Sequence, residues 1–375
     1  MEFGFPNYTH MNNFLYPVYR PSLNGNEKKY VNECLDSTWI SSKGKFINQF
    51  ETEFSKFINI DYAASVCNGT VALHLALLAL DISSGDEVIV PTLTYIASVN
   101  AISYTGAKPV FVDSLKNSWQ IDPEDIKNKI TSKTKAIMVV HLYGHPCNMD
   151  ELSKIAKEHN LFLIEDCAEA IGSKYKNRHV GTFGDISTFS FFGNKTITTG
   201  EGGMVVSNNK KLYEKVVNLK GQGLAVNREY WHDIIGYNYR MTNIQAAIGL
   251  AQLENVNDIL LKKSEIANFY QESFKNTDYI FHESIGDVSN SYWMCSVLVP
   301  DRNLRDVIRL ELKNLGIETR PLFYPVHTMP MYLNSKDTFP IAIDLASRGI
   351  NLPSYPDLSK KDLTYIVTSL LNIKL

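Results

Sequence analysis

Between Ala63 and Asn208 the chain carries seven short apolar runs: AASVC, DEVIVP, KPVFVD, KAIMVVHLYG, LFLIEDC, ISTFSFF and GGMVVSN. Each is rich in β-branched or aromatic residues, and most are separated by segments with helical periodicity. This alternation limits the possible folds more than any other feature. Strands that are apolar along their whole length must be covered on both faces, and intervening helices supply the cover. The pattern predicts an α/β fold with a seven-stranded, mostly parallel sheet between layers of helices. Start signals agree with it: Asp122 and Pro123 would cap and open one helix, and Asn148 with Glu151 would form a capping box for another. Ligands of such sheets gather at the carboxyl ends of the strands.

The flanking regions read differently. Residues 31–58 are mainly helical in pattern, broken at STWISSKGK, and a long helical pattern runs from Asn243 to Phe274. Beyond it, SYWMCSVLV and IETRPLFYP flank the helix-like LRDVIRLELKNLG, and a last helix follows LPSYPDLSKK. A chain of 375 residues can bury two packed units. The expected division is an N-terminal extension over 1–15, a large domain over 16–255 and a smaller C-terminal α/β domain over 256–375.

A net charge of −3 gives no reason to expect nucleic acid or an anionic membrane as partner. The richest apolar run, VALHLALLAL, is far too short to span a bilayer, and the first residues lack a secretory pattern. The five cysteines include no C-x-x-C pair, which argues against a disulfide framework or structural zinc and for the reducing cytoplasm. His141 and His145 stand four apart, but they follow a strand and enclose a glycine, so no metal site is expected.

Three stretches at predicted strand ends carry chemistry. In VCNGTVALHLAL, a strand gives way to a helix at Asn68-Gly69-Thr70; backbone amides, a hydroxyl and a close-approach glycine there could seat an anion, or simply make a capped turn. In LFLIEDCAEA, Asp166 ends a strand and is either a helix N-cap or a carboxylate able to keep a heteroaromatic nitrogen protonated. In ISTFSFFGNKTITTGEGG, Lys195 is either a solvated loop residue or an enclosed amine made nucleophilic by desolvation. Ser190, five residues before it, could add a hydroxyl to the anion seat. Singly, each has an ordinary structural reading. Together they match a phosphate, a pyridinium nitrogen and an aldehyde carbon, and pyridoxal 5′-phosphate carries all three.

FSFFGNKTITTGEGG, EDCAEA, NGTVALHLAL and GYNYRMTN together resemble the DegT/DnrJ/EryC1/StrS sugar aminotransferases of the fold-type I pyridoxal phosphate class, from about Tyr16 to the C-terminus. The resemblance implies that Lys195 forms the Schiff base and shuttles protons, Asp166 pairs with the pyridine nitrogen, and Glu169 lies beside the ring hydroxyl. It implies that Gly69, Thr70 and Ser190 hold the phosphate and that Tyr95 stacks on the ring. Asn238 would reach the cofactor of a neighbouring subunit, giving a homodimer with shared active sites. His327 would approach the sugar, while Arg240 and Arg320 would anchor substrate anions or form structural ion pairs.

STWISSKG, PTLTYIASVNAI, GQGLAVNREYWHDIIGYNYRMTN and TRPLFYPVHTMPMY resemble those members that aminate the C4 ketone of GDP-4-keto-6-deoxymannose with L-glutamate. A related 3-dehydratase has histidine in place of the Schiff-base lysine; lysine at 195 favours amine transfer. The alternatives are another nucleotide keto sugar, such as a UDP-linked one, or a non-catalytic protein that kept the fold.

Overall fold

The computed structural model describes residues 14–282, 284, 286–333 and 338–373. The expected N-terminal extension falls almost wholly outside the described residues. All seven apolar runs are strands: β1 (Tyr62–Val66), β2 (Glu87–Pro91), β3 (Lys108–Val112), β4 (Thr134–Val140) and β5 (Phe162–Asp166), then, after the short pair β6 (Lys174–Tyr175) and β7 (Arg178–His179), β8 (Ile186–Ser190) and β9 (Gly203–Ser207). They form one sheet in the order β1-β9-β8-β5-β4-β2-β3. Pairing is parallel from β3 through β8, and β9 runs antiparallel between β8 and β1.

Alternate residues of each strand face opposite sides. Val88, Val90, Met138, Ile164 and Val205 pack under α3 (Gly69–Ala79) and α4 (Ile96–Tyr104). Ile89, Ile137, Val139 and Leu163 pack on the other face, under α5 (Pro123–Lys129) and α6 (Met149–Glu158). Further along that face lies α2 (Lys45–Ile58), which presents Phe46, Phe50, Phe54 and Ile58 at four-residue spacing, one stripe of a helix. Phe54 meets Phe189 and Phe191 at 5.0 and 5.5 Å between ring centres.

Asp122 caps α5 with its carboxylate on the Glu124 amide, and Asn148 caps α6. The return half of the expected capping box goes elsewhere, because Asn148 donates its own side-chain amide to the Glu151 carboxylate. The pattern from Asn243 to Phe274 is two helices, α8 (Asn243–Glu254) and α9 (Val256–Phe274), separated at Asn255.

The C-terminal part has its own four-stranded sheet, β10 (Ile280–Phe281), β12 (Cys295–Leu298), β14 (Gly349–Leu352) and β13 (Arg320–Pro321) in spatial order. A third small sheet joins β11 (Val288–Ser289) to β6 and β7. Two of the links that tie this part to the rest of the chain are these. Asp113, following β3, accepts the Ile341 and Ala342 amides at 3.1 and 2.8 Å and so caps α11 (Pro340–Arg348). A carboxylate on a helix start contributes about 1 kcal/mol. The N-terminal segment supplies the other: Tyr16 bridges to Ile317, and the Val18 amide donates to Glu318 at 2.9 Å.

Candidate active site

The carboxyl edge of the parallel strands is where the singled-out residues meet. β5 ends at Asp166, 4% exposed, and no helix follows it, so the N-cap reading does not apply. One carboxylate oxygen accepts the Ser98 hydroxyl at 2.7 Å and the other the Ala168 amide at 3.0 Å. Burial pushes the Asp166 carboxyl up, against the pull of those two donors and of Lys195. Its neighbour Glu165 points to the opposite face and accepts the amides of Gly181, Phe183 and Gly184 together with His141 Nε2, which anchors the strand end. His141, Glu165 and Cys167 approach within 4.8 Å, but the lone pairs of the first two are already engaged in these bonds and in the Cys147 amide on His141 Nδ1.

Lys195 is carried by the connection between β8 and β9. Because these strands are antiparallel neighbours, that connection is a wide hairpin that folds on itself. The Phe191 amide donates to Gly202 O, the Thr199 amide to Phe191 O and the Lys195 amide to Phe192 O. Gly200 turns at φ +83°, and a Cβ on Gly202 would sit 2.1 Å from the Thr199 hydroxyl. Lys195 is 8% exposed, and its carbonyl accepts the Tyr19 hydroxyl. The solvated-loop reading is therefore excluded. Burial lowers the Lys195 amine's affinity for a proton, while Glu169 and Asp166 oppose the shift.

Glu169 lies in the turn after β5, buried, with its carboxylate on the Tyr143 amide at 2.7 Å. Burial raises its carboxyl to about 7, with Asp166 adding to the rise and Lys195 pulling against it. A folded value above the unfolded 4.5 means that the folded chain keeps a proton the unfolded chain has released. That contribution is full below pH 4.5 and is lost as pH rises through 7. In the cofactor-free protein, Glu169→Gln should match the wild type at pH 4 and exceed its stability by about 1–3 kcal/mol at pH 8. Denaturant midpoints at the two pH values measure this; an unchanged difference between them contradicts it.

The residues of the expected anion seat also lie together. Asn68 caps α3 through the Val71 amide at 3.0 Å, leaving the amides of Gly69 and Thr70 at the helix start. A Cβ on Gly69 would lie 2.8 Å from Ser190 Cβ and 2.9 Å from its hydroxyl, so glycine lets that hydroxyl reach the helix start. A phosphate there, a ring nitrogen at Asp166 and an aldehyde carbon at Lys195 match the donors and acceptors present.

The more distant candidates sit as follows. Tyr95 is half-exposed at the start of α4, 5.6 Å from Phe323. His327 is buried, its Nδ1 2.7 Å from the Thr92 hydroxyl at the end of β2. Asn238 is exposed and accepts Arg240 Nη2 at 3.2 Å, in a segment that runs beside the end of β1. Arg320 is half-exposed and paired with Glu318 at 3.4 Å. Sequence reasoning passed over Ser98, Tyr19, Tyr143, Trp293 and Phe323. Only Ser98 had a local signal, four residues from its hydrogen-bond partner Thr94.

The profile of the DegT/DnrJ/EryC1/StrS aminotransferase family matches residues 21–371. The chain belongs to this family. It is 64% identical to GDP-perosamine synthase of Escherichia coli O157:H7 over 354 residues, 94% of this chain and 97% of that one. With the GDP-perosamine synthase of Vibrio cholerae it shares 52% over 361 residues, covering 95% and 98%. Among solved structures, a Streptococcus pneumoniae protein in its PLP form superposes with a TM-score of 0.89 at 28% identity, over 94% of this chain and 97% of that one. The fold-type I architecture expected from the sequence is the one these aminotransferases share.

Proposed function

We propose that the chain transfers the amino group of L-glutamate to the C4 ketone of GDP-4-keto-6-deoxymannose, giving GDP-perosamine and 2-oxoglutarate, with pyridoxal 5′-phosphate as cofactor. The observation that carries this reading is a buried Lys195 amine facing Asp166 and Glu169, in a chain 64% identical to a GDP-perosamine synthase. When bound, the cofactor supplies an aldehyde carbon conjugated to an electron-accepting ring, which carries nitrogen between the two substrates.

The chain's own residues do the rest. Gly69, Thr70 and Ser190 hold the phosphate, and Tyr95 covers one ring face. Asp166 keeps a proton on the ring nitrogen, and Glu169 stands beside the ring hydroxyl. The Lys195 amine, uncharged when it acts, takes the proton from the donor's α-carbon and delivers it across the site. His327, Arg240 and Arg320 are the candidates for binding the nucleotide sugar. One site serves both half-reactions, so 2-oxoglutarate leaves before the sugar enters and the kinetics are ping-pong.

Incubation with 15N-labelled glutamate and GDP-4-keto-6-deoxymannose should place the label on the sugar, read by mass. Unlabelled sugar sinks the reading, and faster turnover of a UDP-linked keto sugar replaces its acceptor.

The active unit in this reading is a cytoplasmic homodimer. Val226, Tyr230 and Ile235, at 96%, 94% and 89% exposure, are apolar side chains without cover in the same hairpin segment as Asn238, which suits a surface that a second copy buries. All five cysteines are free thiols, as in a reducing compartment. If Asn238 serves the partner's site, two inactive variants, Lys195→Ala and Asn238→Asp, should complement each other. Mixed and reassembled in equal amounts, they should recover about a quarter of wild-type activity, from the one intact site of each hybrid. No recovery in assays of verified hybrids removes Asn238 from the partner's site.

A further inference from the structure

The Lys195 amine must leave its covalent bond in the first half-reaction and return to it at the end of the second, and between those moments it needs a place to be. Its Nζ stands 3.8 Å from the ring centre of Trp293, over the indole face. Trp293 lies just before β12, in the C-terminal part of the chain, and is 4% exposed. It is held on two sides. Its Nε1–H donates to the Asn194 carbonyl at 2.6 Å, on the residue before the lysine. Its ring lies nearly parallel to those of Tyr143, at 6.0 Å and 10°, and of Phe323, at 6.2 Å and 28°. The Tyr19 hydroxyl grips the next carbonyl, that of Lys195 itself. The backbone on both sides of the lysine is therefore clamped by side chains from outside the large sheet.

We propose that Trp293 is the positioning residue that seats the released Lys195 amine, receiving its ammonium form on the indole face while the indole N–H fixes the loop that carries it. The proposal rests on the reading of Lys195 as the covalent amine and adds no covalent or redox step. An ammonium in this buried place has lost its water. The charged groups that face it are Asp166 and Glu169, and burial works against the ionised form of each. The negative face of an indole attracts a cation without itself needing to ionise. Seated there, the amine stays within reach of the reacting carbon instead of swinging towards solvent.

The test uses the full chain freed of cofactor, so that Lys195 titrates as an ordinary amine. Trace acylation of Lys195 is followed against pH by peptide mass mapping, in wild type, Trp293→Phe and Trp293→Leu. Lys263, also fully buried but donating to Ser354 O, serves as internal reference. The midpoint for Lys195 should fall in the order Trp, Phe, Leu, by about one pH unit in all, a tenfold change in the ammonium-to-amine ratio. Lys263 should not move. Titration of Lys195 that is unchanged or raised in the variants overturns the proposal. So does a fall in the phenylalanine variant as large as in the leucine one, since that assigns the effect to the N–H. Should Trp293→Leu fail to melt cooperatively, Trp293→Phe against wild type decides alone: a partial fall supports the seat and no fall removes it. No substrate enters this experiment, so its failure is separate from failure of the labelled-glutamate transfer.

Discussion

Lys195→Ala is expected to abolish amino transfer from glutamate, with turnover falling at least about a thousandfold. The fold should survive. Lys195 is buried at the rim of the sheet, where burial works against its charged form, so alanine relieves a desolvation cost while it forfeits the packing of the side-chain stem. These terms oppose each other, and net stability should change by no more than about 2 kcal/mol. Borohydride treatment of the loaded wild type should fix the cofactor to the peptide containing Lys195, and the same treatment of the variant should fix none. A variant that keeps more than about a hundredth of wild-type turnover would mean that another amine does the work.

Asp166→Asn should cost about a hundredfold to ten-thousandfold in turnover at saturating substrate, while the chain stays folded. Asparagine has the shape of aspartate and can still accept from Ser98 or Ala168, the two donors on the native carboxylate. It cannot act as the anion that holds a proton on a ring nitrogen. The effect on stability has the opposite sign. The Asp166 carboxyl is raised by burial, so its contribution is present below the unfolded value of 3.8 and is lost as pH rises through the folded one. At pH 8 the cofactor-free variant should be at least as stable as wild type. Turnover and denaturant midpoints at pH 8 measure both halves, and full turnover in the variant would remove Asp166 from the ring nitrogen.

The large sheet was legible because most of its strands are short runs buried over nearly their whole length, and burial on both faces leaves a mark in composition as well as in periodicity. The C-terminal sheet was harder to read. β14 is four residues, Gly349–Leu352, too short to display alternation, and it is a strand because β12 and β13 pair with its two edges. The break at Asn255 was invisible for a related reason: a hydrophobic period continues across one non-helical residue, and only the backbone at φ −106° and ψ 6° separates the helices. The segment from Tyr16 to Tyr19 shows no pattern of its own, yet it reaches Asp362 through Tyr16 and the lysine loop through Tyr19.

By itself the sequence determined the layer order, the strands and the residue types offered at their ends. An aspartate that ends β5, a lysine after β8 and a glycine-threonine helix start after β1 could be identified because each depends on local chemistry at a strand end. Tertiary structure alone decided what surrounds them. Ser98 meets Asp166 across 68 residues, Trp293 meets Asn194 across 99, and Tyr19 meets the Lys195 carbonyl across 176. A hydrophobic period reports which way a side chain faces relative to its own strand or helix. It carries no record of which strand lies alongside, and the environment that burial and neighbouring charge create for Lys195 and Glu169 is set by those neighbours.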